Sequence, residues 1–106
     1  MQINNYLNDK EILKRHKVKE LLSLYRKTLT TISKIKITTL QVDVSATFRQ
    51  GEFRFHITIF DRIGNNKSLD VYDFSDINRA KIAVRRVISV IKTDSFANVE
   101  AENFRV

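Results

Sequence analysis

The chain has 106 residues, 42% of them hydrophobic and 29% charged, with no cysteine and no proline. That length and balance suit one compact domain and exclude a disordered chain, a collagen-like repeat and a disulfide scaffold. Nineteen Lys and Arg against twelve acids leave a net charge of +7, which favours polyanionic partners and argues against a purely neutral scaffold.

The excess charge is segregated. Residues 1–36 hold nine cations and three acids, residues 37–76 hold four cations and six acids, and residues 77–92 hold five cations and no acid. No apolar run reaches the roughly 18 residues needed to cross a bilayer. The N-terminal MQINNYLNDKE lacks the basic-then-apolar layout of a secretory signal, so a cytoplasmic protein is expected.

A helix is expected over residues 9–31. Asn8 and Glu11 have the spacing of a capping box, and Leu7 with Ile12 that of a hydrophobic staple. Val18, Leu21, Leu22, Tyr25, Leu29 and Ile32 then recur at steps of three and four. The first turns carry Lys10, Lys14, Arg15, His16, Lys17 and Lys19 with little apolar surface, and should project beyond the core. Cations there oppose the helix dipole, which points to a use other than stability.

The period then becomes two. Leu40, Val42, Val44, Ala46 and Phe48 define one strand, and Phe53, Phe55, Ile57 and Ile59 a second. Ile35 and Ile37 are out of phase with the first strand, which predicts a bend near Thr38–Thr39. A hairpin through Arg49-Gln50-Gly51-Glu52 pairs Phe48 with Phe53, Ala46 with Phe55, Val44 with Ile57 and Val42 with Ile59. A turn at residues 62–66 leads to a third strand, with Leu69 expected opposite Ile59 and Val71 opposite Ile57. Phe60 and Tyr72 then fall on the polar face as exposed aromatics.

Ser75 or Asp76 caps a second helix whose buried stripe is Ile77, Ala80, Val84, Val87, Ile88 and Ile91. Lys81, Arg85 and Lys92 follow one edge of it, and Arg79 and Arg86 its outer side. Residues 93–106 alternate weakly and are expected to form a short edge strand or a docked tail. The expected architecture is α+β, α-β-β-β-α, as one domain with a core over 9–92 and both helices on the apolar face of a three-stranded antiparallel sheet.

Catalytic and metal-binding patterns are sparse. The two histidines, His16 and His56, fall on different elements, and HxxxH and CxxC spacings are missing, so neither a metal nor another cofactor is expected. Asp70, Asp73 and Asp76 read as turn and capping residues. Arg54, His56, Thr58 and Phe60 share a strand face, a set that a small ribonuclease would also use, but no carboxylate is placed beside them. A non-enzymatic protein is expected.

The α-β-β-β-α order resembles the double-stranded-RNA-binding domain. In that family the second helix opens with Lys-Lys-x-Ala-Lys, which grips phosphates. The matching stretch here is Ile77-Asn78-Arg79-Ala80-Lys81, agreeing at Ala80-Lys81, with Ile77 and Asn78 at the leading lysine positions. Ribosome-hibernation factors have a similar order preceded by a strand, where Gln2-Ile3-Asn4 would fall. Phe74-Ser75-Asp76-Ile77-Asn78-Arg79-Ala80 also resembles the strand-to-helix junction of recombinase arm-site-binding domains.

The expectation from residues and resemblance together is a nucleic-acid-binding protein, for RNA or DNA. Lys10, Lys14, Arg15, Lys17 and Lys19 would form one phosphate-contacting patch, and Lys81, Arg85 and Arg86 a second. The alternative is an interaction module or inhibitor acting on a larger nucleic-acid-handling protein. Abundant Ile, Lys and Asn suit an AT-rich mobile element as its source. No small-molecule substrate and no membrane partner are expected.

Overall fold

A computed structural model describes residues 9–49, 52–72, 76–101 and 104–106, with the side chains of residues 9–14, 72, 100 and 101 outside that description. Helix α1 (Asp9–Ser33) is followed by strands β1 (Gln41–Arg49), β2 (Glu52–Phe60) and β3 (Asn66–Tyr72). Helices α2 (Ile77–Thr93) and α3 (Phe96–Ala101) complete the α+β fold. The sheet is antiparallel in the order β1-β2-β3.

Strict alternation in β1 and β2 sets their register. Phe48 faces Phe53, Ala46 faces Phe55, Val44 faces Ile57 and Val42 faces Ile59, as the apolar pattern predicts. Phe53, Phe55, Ile57 and Ile59 are all buried, each 2% exposed or less. Helix α1 lies over β2 and touches α2, while α2 lies over β3, so both long helices cover the same apolar face. Tyr25 of α1 seats its ring 6.0 Å from Phe53 and 5.5 Å from Phe55, centroid to centroid.

The β2–β3 register differs from expectation by two residues. Leu69 pairs with Ile57 and Val71 with Phe55, leaving Lys67 opposite Ile59. The cause is the turn. Asp61 Oδ1 accepts the N–H groups of Ile63 (3.1 Å) and Asn65 (2.9 Å), and Oδ2 accepts from the Asn65 side chain at 2.9 Å. The Asp61 N–H donates to the Asn65 carbonyl at 3.0 Å, and Gly64 takes φ +94°, a region open to glycine at little cost. The loop therefore closes between Asp61 and Asn65, not between Arg62 and Asn66. A two-residue slip preserves side-chain parity, so Leu69 and Val71 still reach the core.

Helix α1 packs five of its six expected apolar residues, Val18, Leu21, Leu22, Tyr25 and Ile32, on the core and adds Leu24 and Thr28 to them. Leu21, Leu24 and Thr28 are buried, whereas Leu29 is 37% exposed. Thr28 is tolerated there because its hydroxyl donates to the Leu24 carbonyl at 2.7 Å. The Asn8 cap and the Leu7–Ile12 staple fall outside the described residues and side chains. Helix α2 follows its predicted stripe, with Ala83 and Val90 added to the buried set and Ile77 and Ile88 at its margins.

Of the two expectations for the C-terminal segment, the docked tail holds and the edge strand does not. Residues Phe96–Ala101 form helix α3, not an edge strand. Asp94 in the left-handed conformation (φ 51°, ψ 39°) ends α2 and turns the chain. Phe96 and Val99, three apart, then meet the core on one helical face, with Val99 fully buried. Phe104 is buried too, and the Lys67 ammonium lies 5.5 Å from its ring centroid.

Candidate functional site

Helix α2 begins where Asp76 accepts the N–H groups of Asn78 (2.9 Å) and Arg79 (3.1 Å), leaving Ile77 to open the first turn. Its apolar stripe faces the sheet and α1. The remaining positions expose Arg79, Lys81, Arg85, Arg86 and Lys92. Among the described residues none of these five cations forms an ion pair with a carboxylate. Unpaired charges of one sign on one helix sustain a positive potential rather than cancelling it.

Between α1 and α2 runs a groove of about 570 Å³. Its floor is apolar, made by Leu24, Val84 and Ile88, and its walls carry Lys27, Lys81, Arg85 and Lys92. Ser23 and Ser89 add hydroxyls. The Thr28 and Thr31 hydroxyls, also at the groove, donate back into their own helix, to Leu24 (2.7 Å) and Lys27 (2.8 Å). Glu20 is the single acid on the lining, and it is engaged by His16 Nε2 at 2.7 Å. Four cations and one acid give the cleft a net positive lining.

Of the residues expected to bind phosphate, Lys81 and Arg85 enter this groove. Arg86 lies on the outer side of α2, beside Ile82, Arg85 and Ser89 at a shallower depression. Arg15, Lys17 and Lys19 are exposed on α1, N-terminal to Leu21, its first described buried residue. At about 3.6 residues per turn, Lys17 stands roughly opposite Arg15 and Lys19, so the three do not share one face. Lys10 and Lys14 lie on α1 with their side chains outside the description.

Lys27 was not among the expected contacts. It becomes visible once Leu24 and Thr28 are added to the α1 stripe and Leu29 is removed from it. Glu20, Ser23, Lys27 and Thr31 then face α2 across the groove.

The other face of the sheet carries a second polar cluster. Ser45 Oγ lies 2.7 Å from His56 Nε2 across the β1–β2 pair. Asp70 is directly opposite His56 on β3, its Oδ1 4.0 Å from Nδ1. This carboxylate appears beside His56 because of the two-residue change in register. The order serine–imidazole–carboxylate is that of a nucleophilic relay. However, 4.0 Å exceeds hydrogen-bonding distance, and the flanking backbone N–H groups of β2 are held in strand pairing between β1 and β3. Thr58 and Ser68 bridge the next pair at 2.9 Å, and the row ties the three strands together. Among the described residues no cluster of three His, Cys, Asp or Glu has metal-binding geometry.

No protein-family model, no curated protein and no solved structure matches this chain. Among the described residues, no helix is long and apolar enough to cross a membrane.

Proposed function

We propose that this is a non-enzymatic nucleic-acid-binding protein that holds the phosphate backbone along the groove between α1 and α2. The observation that carries the reading is the convergence of Lys27, Lys81, Arg85 and Lys92 on one groove, with Glu20 the single acid on its lining. Along α2, Lys81 and Arg85 are one helical turn apart, about 6 Å at 1.5 Å per residue. That spacing suits successive negative charges on one backbone strand. Arg86 on the outer side of α2, with the exposed Arg15 and Lys19 on α1, adds positive charge beyond the groove. Serine and lysine contacts with phosphate carry no sequence information, so recognition of RNA or DNA is by backbone, in the cytoplasm.

A salt titration with a duplex RNA and a duplex DNA tests this. Neutralising about four phosphates gives a slope of log K against log[salt] of about −3.6. Absence of binding at low salt, or binding that salt does not weaken, overturns the reading.

A further inference from the structure

Strand β1 is one of the two edge strands of the sheet, and among the described residues it pairs only with β2. Helix α1 lies over β2 and α2 over β3, and the C-terminal Phe104 reaches Lys67 on β3. The apolar side of β1 is left thinly covered. Val42 and Val44 are partly buried, Ala46 is exposed, and Phe48 is 61% exposed although its ring rests 4.9 Å from that of Phe53. Over its nine residues, QVDVSATFR contains no proline and no lysine, two of the residues that commonly protect an edge.

The charges on β1 indicate what covers it. Its polar side carries Asp43, Ser45, Thr47 and Arg49, and its apolar side Val42, Val44, Ala46 and Phe48. Asp43 and Arg49 form no ion pair among the described residues. When β1 is laid antiparallel against a second β1 with Ala46 on the two-fold axis, Asp43 of each copy faces Arg49 of the other. Ser45 then faces Thr47, and Val44 faces Phe48. Each of these pairs matches in character, and the apolar rows of the two copies meet through Val44, Ala46 and Phe48. Moving the axis by one residue, to Ser45, sets Val42 against Phe48 but leaves Asp43 opposite Thr47, so charge complementarity selects Ala46.

We propose that the protein forms a two-fold dimer through β1, giving one six-stranded antiparallel sheet with Ala46 on the axis. The contact is isologous: one patch meets itself, and each complementary pair occurs twice. It is independent of the groove and of nucleic acid.

Three measurements on the full chain test it. Sedimentation without nucleic acid is expected to show a dimer whose population rises with concentration. Asp43→Arg alone, or Arg49→Asp alone, sets like charges opposite each other twice and abolishes the dimer where the natural chain is dimeric. The double reversal restores it. Both residues are exposed, so unchanged circular dichroism verifies that the single variants remain folded.

The chain has no cysteine, so Ala46→Cys gives a clean probe. Facing residues on antiparallel strands are about 4.5–5.5 Å apart at Cα, within disulfide range. Under oxidation Ala46→Cys is expected to cross-link into a covalent dimer. Asp43→Cys is not, because in this register it stands six residues, about 20 Å, from its own copy. A monomer at every concentration overturns the proposal, including one whose β1 edge is shielded from hydrogen exchange by its own chain. So does a dimer that tolerates both single reversals, or equal cross-linking at the two positions.

Discussion

Asp94 joins the end of α2 to the start of β1. Its carboxylate accepts the Thr38 hydroxyl at 2.6 Å and the N–H groups of Thr38 (2.8 Å), Thr39 (2.9 Å) and Leu40 (2.9 Å). Led by the Thr38 hydroxyl and then the Leu40 N–H, these donors hold the carboxyl well below the usual carboxylate range. A depressed folded-state pKa contributes stability that is present above the unfolded value, near 3.8, and is lost as pH falls toward the folded value. Asp94→Asn removes the charge but keeps a side chain that accepts the left-handed backbone. The variant is expected to melt at a lower temperature at neutral pH, with the gap to the natural chain closing on acidification below about pH 4. Thermal melts across that range check this; a gap independent of pH would mean the carboxylate charge contributes nothing. The alternation of apolar residues already reveals the bend at Thr38–Thr39. The residue that satisfies it does not show in the sequence, because it lies 54 to 56 positions away.

At the scale of elements, the legible parts are those where one physical rule acts alone. The β1–β2 register follows from alternation plus a two-residue loop. The β2–β3 register does not, since two alignments differing by two residues bury the same side chains, and Asp61 and Asn65 decide between them through local hydrogen bonds. Helix α2 is legible because its cap, apolar stripe and charges agree. Its two faces also separate packing from binding. Val87 is fully buried, and Val87→Asp places an unpaired charge in the core at a cost of several kcal/mol, against a typical domain stability of about 5–15 kcal/mol. That variant should lose its cooperative melt. Lys81→Gln with Arg85→Gln and Lys92→Gln keeps helix propensity and alters exposed positions, so each change should shift stability by at most about 0.5 kcal/mol. The triple variant should nevertheless flatten the salt slope by about 2.7. An unchanged slope would remove α2 from the contact surface.

Charge and shape are organised over the whole molecule, whose principal extents are 59 × 22 × 20 Å. The helical side holds the groove cations, while the opposite sheet face mixes Asp43, Asp70 and His56 with Arg49, Arg54 and hydroxyls. Simple attraction by net charge and docking in the groove therefore make different predictions. Lys27→Gln with Lys81→Gln and Arg85→Gln lowers the formal net charge from +7 to +4, which is 7 minus 3. Lys34→Gln with Lys36→Gln and Arg62→Gln lowers it by the same amount at exposed positions that line no part of the groove. If association depends on net charge alone, both triple variants lose affinity and salt slope equally. If the groove is the contact, the first loses about three phosphate contacts and its slope falls by about 2.7, while the second keeps nearly the natural slope. Titrations of both variants against the same duplex, over the same salt range, distinguish the two outcomes. Equal losses would place binding in the diffuse field of the protein and would sink the groove as a site.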